Sequence, residues 1–151
     1  AGVLAAELSA LGFSGPTQIY EFDDGGFLKA FSDASSTEPL TRELGRHFHL
    51  DTTAIKPYSC SGSTHAYIDA ALDLRRKLGP TWAPDRPVRI GTSKVVDVQC
   101  GFDYAPSTVL NAQMSLRYCV AVALMDGQAL PRQFDDARLS DPATMKLAAQ
   151  L

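Results

Sequence analysis

The strongest constraint on the fold lies between Ser107 and Met125. Most residues of this segment favour an α-helix, and from Leu116 onward they are apolar around most of a helical circumference. Gly127 follows and can end the helix, because glycine readily adopts the left-handed conformation found after many helix ends. A helix without a polar face has to be enclosed, so the sequence predicts a buried helix over residues 107–125.

Four further segments have the spacing or the flanking residues of helices. Leu4, Leu8 and Leu11 recur at helical spacing, and the other three segments begin at a Ser, Thr or Asp that can cap a helix. A glycine stands at the end of all but the last. The predicted helices cover residues 4–11, 37–45, 64–78 and 141–151.

Three other segments have the composition of strands. They are rich in β-branched or aromatic residues and are bounded by turn residues or proline: 17–22, 47–55 and 87–100, the last as one bent strand or as two strands joined by a turn. Their mixture with helices predicts an α+β fold, a two-layer α/β sandwich with a small sheet. We expect this domain to span residues 1–132, and residues 133–151 to be the start of a further helical segment.

Composition and charge exclude several classes of protein. Apolar residues make up 45% of the 151 residues and charged residues 21%, which is typical of a folded globular domain. The formal net charge of −3 offers no basic surface for nucleic acid or for an anionic membrane, so neither is expected as a partner.

The three cysteines favour a reducing environment. They are odd in number and have no CxxC spacing, which argues against a disulfide framework and against a zinc site. The first residues lack the charged start of a signal peptide, so we expect a cytoplasmic protein. The absence of an initiator Met suggests a piece of a longer chain.

Four motifs, taken in order, resemble the MmgE/PrpD family of enzymes. The first two are LGFSGPTQIYEFDDGGFLKAF at 11–31 and IKPYSCSGSTHAYIDAALDL at 55–74. The others are AQMSLRYCVAVALMDG at 112–127 and LSDPATMKLA at 139–148. The family includes 2-methylcitrate dehydratase, cis-aconitate decarboxylase and iminodisuccinate epimerase.

The resemblance implies a lid, the smaller domain of a two-domain enzyme whose active site lies between lid and helical domain. It also implies a lyase or isomerase that moves a proton next to a carboxylate of a small di- or tricarboxylic acid, with no cofactor and no metal. The expected partners are this substrate, the helical domain of the same chain and a second copy in a homodimer. The 151 residues alone are expected to be inactive.

Two residues are candidates for catalysis. The resemblance places Lys56 at the family's active-site lysine, where its ammonium would bind a substrate carboxylate. It places Tyr118 at the tyrosine of the Ser-x-x-Tyr helix, where a phenol can donate a hydrogen bond or carry a proton. The alternatives are a surface lysine and a core tyrosine whose hydroxyl bonds to a neighbour.

Three residues that follow Lys56 in the sequence, Ser61, Ser63 and His65, are candidates for binding the substrate. Ser61 and Ser63 precede a predicted helix whose first N–H groups can receive a carboxylate, although such residues are also common helix caps. His65 and Asp69 stand four residues apart on one helical face and can pair, which would orient the imidazole or only stabilise the helix.

Two other arrangements are weaker. His47 and His49 lie two residues apart, but no carboxylate or cysteine is placed to complete a metal site. Cys60 and His65 lack the third group and the oxyanion-binding motif that a thiol nucleophile needs. A different class of function stays open: a freestanding regulatory module that binds carboxylates or associates with itself, without catalysis.

Overall fold

The computed structural model describes residues 1–82 and 84–151 and divides them into two compact units, 1–53 and 54–151. Every regular element of the described residues is a helix, and no strand occurs among them. The predicted α+β sandwich with a small sheet is therefore wrong for this part of the chain.

The first unit contains little core. Its helices are α1 (Gly2–Ala10), α2 (Phe27–Phe31), α3 (Glu38–Thr41) and a 3-10 helix (His49–Thr52). Gly26 is the one buried residue of the unit, while its large apolar side chains stay exposed, Phe31 at 77% for example. The two helices predicted here are present, although the second is shorter than expected.

The second unit is built around one buried helix. Its elements are α4 (His65–Leu78), α5 (Lys94–Cys100), α6 (Val109–Met114), α7 (Leu116–Asp126), α8 (Asp136–Leu139) and α9 (Pro142–Ala148). Short 3-10 helices cover Gly62–Thr64 and Pro131–Phe134. Eight of the eleven residues of α7 are buried, and α4, α6 and α9 pack against it. The predicted buried helix over 107–125 is thus confirmed from Leu116 onward.

The predicted continuous helix over 107–125 is interrupted at Ser115. This residue has an extended conformation (φ −81°, ψ 116°) and its hydroxyl accepts a hydrogen bond from the Tyr118 amide at 3.2 Å. Serine competes with the helical backbone in this way, because its side chain can cap the amides that follow it. Gly127 ends α7 with a left-handed φ of 73°, as predicted.

The three predicted strands take other conformations. Residues 17–22 form turns, and 47–55 contain the 3-10 helix His49–Thr52. The segment 87–100 has no regular structure before Lys94, where α5 begins because the Ser93 hydroxyl accepts from the Val96 amide at 3.3 Å and caps the helix. A strand needs a partner strand for its backbone hydrogen bonds, and the described residues offer none.

The division at residue 132 concerns a longer protein and stays a prediction. Within the second unit, α9 packs against α7. Among the described residues, no helix combines the length and the hydropathy needed to cross a bilayer.

Asp141 caps α9 and gives a stability test. Its Oδ2 accepts from the Thr144 amide and hydroxyl, both at 2.8 Å, and these bonds hold the pKa of the carboxyl below its ordinary value. Asp141→Ala should lower the free energy of unfolding in urea by about 1 kcal/mol, the usual value of such a cap. Asp135→Ala is the control, because Asp135 precedes α8 without a capping side-chain bond.

The same cap predicts a pH dependence. A carboxyl whose pKa is lowered on folding stabilises the protein above its unfolded value of about 3.9, and this stabilisation is lost as pH falls through the lower, folded value. The difference in stability between wild type and Asp141→Ala should therefore shrink below about pH 4. A difference that does not change with pH would contradict the role of the carboxylate.

Candidate functional site

Lys56 lies on an exposed loop that leads into α4. Its Nζ donates a hydrogen bond to the carbonyl of Cys60 at 3.3 Å. No carboxylate pairs with it in the described part of the chain. An ammonium has three donors, so the side chain keeps donors for an anion that approaches from solvent.

The loop after Lys56 is held by hydrogen bonds from residues that are distant in sequence. The Ser59 amide donates to the carbonyl of Ala129 at 3.0 Å, and the Ser61 amide donates to the carbonyl of Gln113 at 2.9 Å. The side chain of Gln113 also donates from Nε2 to the Ser59 carbonyl at 2.8 Å. Gln113 was not predicted as a site residue. The signal that could have found it is a polar glutamine just before the apolar α7 segment, because its amide there needs a hydrogen-bond partner.

The two serines lie at the entrance to α4. Ser63 Oγ donates to Gln99 Oε1 at 3.2 Å, while Ser61 Oγ lies 3.7 Å from the thiol of Cys100. Neither the 3-10 helix Gly62–Thr64 nor α4 has a side-chain cap. Free N–H groups at a helix start attract anions, so this end of α4 suits a carboxylate.

His65 is the first residue of α4, and its imidazole does not pair with Asp69. Asp69 instead accepts a hydrogen bond from the Tyr58 hydroxyl at 2.5 Å, which raises the pKa of that phenol to about 12. The Tyr58 ring meets the imidazole edge-on at 5.3 Å. The Nε2 atom of His65 is buried without a hydrogen-bond partner in the described part of the chain.

Cys60 lies at the base of the loop, where polar groups surround its thiol. Its Sγ is 3.2 Å from the Thr64 hydroxyl. The Cys119 thiol is the main cause that lowers the pKa of Cys60, with further contributions from the Thr64 hydroxyl and from His65. The same contact, together with burial, raises the pKa of Cys119.

Tyr118 lies in the core of the second unit. Its ring packs against Tyr104 and Phe134, with ring centroids 4.6 and 5.7 Å away. Its hydroxyl donates to the carbonyl of Gln133 at 2.6 Å, and burial is the main cause that raises its pKa. Lys56, Ser61, Ser63 and His65 lie within ten consecutive residues of the sequence, and the hydrogen bonds of the described residues join Lys56 neither to the other three nor to Tyr118.

Two surface recesses lack the positive charge that an anion needs, whereas a third, beside Gly79 and Gly127, is lined by Arg75 and Arg76. One recess beside Ser59 and Gln113 is also lined by Asp135 and Asp136, whose charges repel a carboxylate. In the first unit, a recess around Phe22 has no Lys, Arg or His in its lining. No group of three or more His, Cys, Asp or Glu side chains in the described ranges is arranged to hold a metal ion.

Comparison with known proteins identifies the family. Residues 58–151, more than half of the chain, match the MmgE/PrpD C-terminal domain. The chain belongs to the MmgE/PrpD family. It is 30% identical over 165 aligned positions to "Cis-aconitate decarboxylase" of Aspergillus terreus (strain NIH 2624 / FGSC A1156), with 99% of this chain and 34% of the relative covered.

A second relative has a related name. It is "Cis-aconitate decarboxylase-like protein oryM" of Aspergillus oryzae (strain ATCC 42149 / RIB 40), 27% identical, with 97% of this chain and 33% of the relative covered. The chain thus spans about a third of the length of the curated MmgE/PrpD relatives that it matches.

The buried hydroxyl of Tyr118 predicts a loss of stability on removal. Tyr118→Phe should lower the free energy of unfolding in urea by about 1–2 kcal/mol, because the Gln133 carbonyl loses its donor. Tyr20→Phe, at an exposed position of the first unit, should change it little. An unchanged stability of Tyr118→Phe would contradict the observed hydrogen bond.

The surroundings of Cys60 predict which thiol reacts first. Cys60 is 6% exposed whereas Cys100 and Cys119 are fully buried, so iodoacetamide should label Cys60 first in the folded chain. Because the pKa of Cys60 is lowered, the rate should level off at a lower pH than the value of about 8.5 expected for an ordinary thiol. Mass spectrometry of wild type and Cys60→Ser checks both; first labelling of another cysteine would contradict this.

Proposed function

We propose that this chain supplies the carboxylate-binding loop of a lyase or isomerase that acts on a small di- or tricarboxylic acid. The proposed reaction moves a proton next to a carboxylate and uses neither a metal nor an organic cofactor. The enzyme would be completed by a helical domain of the same chain, and we include a homodimer in the proposal.

The observation that carries the proposal is the surroundings of Lys56. An exposed ammonium with a single hydrogen bond to the Cys60 carbonyl lies four residues before that thiol and six before the uncapped start of the helical segment at Gly62. We propose that this ammonium and the amides at the helix start bind the same carboxylate, which has two oxygens to place between them.

This arrangement suits the chemistry of acids whose carbon atom next to a carboxylate gains or loses a proton. Loss of a proton or of carbon dioxide leaves an electron pair that delocalises onto the neighbouring carboxylate. A cation held at that carboxylate stabilises the added charge in the transition state. We assign this role to Lys56, and we assign the acid and base that move the proton to the helical domain.

The relatives support one substrate for the first assay. Both carry the name of cis-aconitate decarboxylase or of a protein like it, so we propose cis-aconitate as the first acid to test. Dehydration of 2-methylcitrate and epimerisation of iminodisuccinate stay as further candidates for the same site. The alternative of a module without catalysis predicts that carboxylates bind but are not converted.

Replacement of Lys56 tests the proposal. Lys56→Ala in the full-length protein should lower kcat/KM by about 30-fold or more, which corresponds to about 2 kcal/mol for the loss of one partner of a charged pair. NMR time courses with the three acids, run with and without a chelator, give the rates. Lys146→Ala is the control, because Lys146 is an exposed lysine of α9.

Three outcomes separate the hypotheses. Turnover that is lost in Lys56→Ala, retained in Lys146→Ala and unaffected by chelator supports the enzyme. Binding of the acids without turnover supports the module. Turnover unchanged in Lys56→Ala would remove Lys56 from the site and overturn the proposal.

A further inference from the structure

Gln113 is hydrogen-bonded to both peptide groups that flank Cys60. Its side-chain Nε2 donates to the Ser59 carbonyl at 2.8 Å, which belongs to the peptide before Cys60. Its main-chain carbonyl accepts from the Ser61 amide at 2.9 Å, which belongs to the peptide after Cys60. One residue from another helix therefore sets the backbone conformation at the residue whose carbonyl Lys56 contacts.

The geometry of a peptide group connects Gln113 to Lys56. The Ser61 N–H and the Cys60 carbonyl are parts of one planar, trans peptide, so they point in opposite directions. Because the N–H is held toward Gln113, the carbonyl is directed away from it, and there it accepts the hydrogen bond from Lys56 Nζ at 3.3 Å.

The interruption of the helix at Ser115 makes the Gln113 carbonyl available. In an uninterrupted helix this carbonyl would accept from the amide of Arg117, four residues later. Because α6 ends at Met114, the carbonyl is among those that a helix end leaves without a helical partner. The Ser61 amide takes that place.

We infer that Gln113 is a positioning residue for Lys56: through the Cys60 peptide it fixes where the ammonium can meet a substrate carboxylate. The inference rests on the proposed function, since it assumes that Lys56 binds the substrate. Gln113 acts through the loop and does not itself contact the substrate, so its effect should appear in affinity and should depend on Lys56.

The test measures the affinity of the full-length protein for tricarballylate, a saturated tricarboxylate, by calorimetry, and KM and kcat with cis-aconitate. Gln113→Met keeps the length of the side chain and removes the Nε2 donor. We expect Kd to rise about tenfold, equivalent to about 1.4 kcal/mol, and kcat/KM to fall by at least the same factor, because Lys56 also stabilises the charge of the transition state. Gln128→Met, at an exposed glutamine after α7, should behave as wild type.

A double-mutant cycle separates positioning from a general effect on stability. If Gln113 acts through Lys56, Gln113→Met should cause no further loss of affinity in the Lys56→Ala background. A purely structural role would weaken binding in both backgrounds by the same factor, and such additivity would overturn the inference.

The failure of the inference and that of the proposed function give different results. If Lys56→Ala weakens binding but Gln113→Met equals wild type, only the role of Gln113 is overturned. If Lys56→Ala leaves binding and turnover unchanged, the proposed function fails and the inference with it. Should Gln113→Met fail to fold, as judged by thermal unfolding, Gln113→Asn replaces it under the same criteria, because its amide is one methylene short of the Ser59 carbonyl.

Discussion

Burial of α7 is the constraint on which residues 54–151 depend. Each large aliphatic side chain that leaves water there contributes about 1.5–3 kcal/mol, so a helix with eight buried residues has to be covered by its neighbours. Helices α4, α6 and α9 provide this cover. The one polar group that Tyr118 brings into the core is satisfied by the Gln133 carbonyl, which ties the segment after Gly127 to the same helix.

The end of α6 shows how a local interruption supports a distant loop. Ser115 caps α7 with its own hydroxyl and thereby leaves carbonyls at the end of α6 without helical partners. The Gln113 carbonyl is one of these, and the Ser61 amide donates a hydrogen bond to it at 2.9 Å. The loop after Lys56 thus supplies a donor for a carbonyl at the end of α6, and the same hydrogen bond holds the loop in place.

The position of the candidate site follows from the cost of burying charge. Lys56 stays on the surface because an unpaired ammonium is strongly disfavoured in an apolar interior. Cys60, whose carbonyl Lys56 contacts, and Thr64, which contacts the Cys60 thiol, are small and weakly polar and can be buried. A cation on such a loop, with no carboxylate paired to it in the described part of the chain, supports the proposal that another domain completes the site.

The sequence by itself determined the helices α1, α4, α7 and α9, whose signals are local. The cap at Asp141, the glycine after α7 and the apolar pattern of α7 act within a few residues, and a helix satisfies its own backbone, whereas the predicted cap at Thr37 is not formed. The family could also be predicted from the motifs, of which those at 55–74 and 112–127 overlap the matched residues 58–151, while the role of Lys56 stays a prediction.

Only the tertiary structure decided the absence of a sheet among the described residues and the contacts of Gln113. A β-branched segment such as 87–100 becomes a strand only when another segment provides its hydrogen bonds, and here Ser93 caps a helix instead. Likewise, Gln113 meets Ser59 across 54 residues of chain, and Tyr58 takes the carboxylate that His65 was predicted to use. These partners are chosen by packing in three dimensions, because side chains of similar chemistry compete for each bond and spacing along the chain does not rank them.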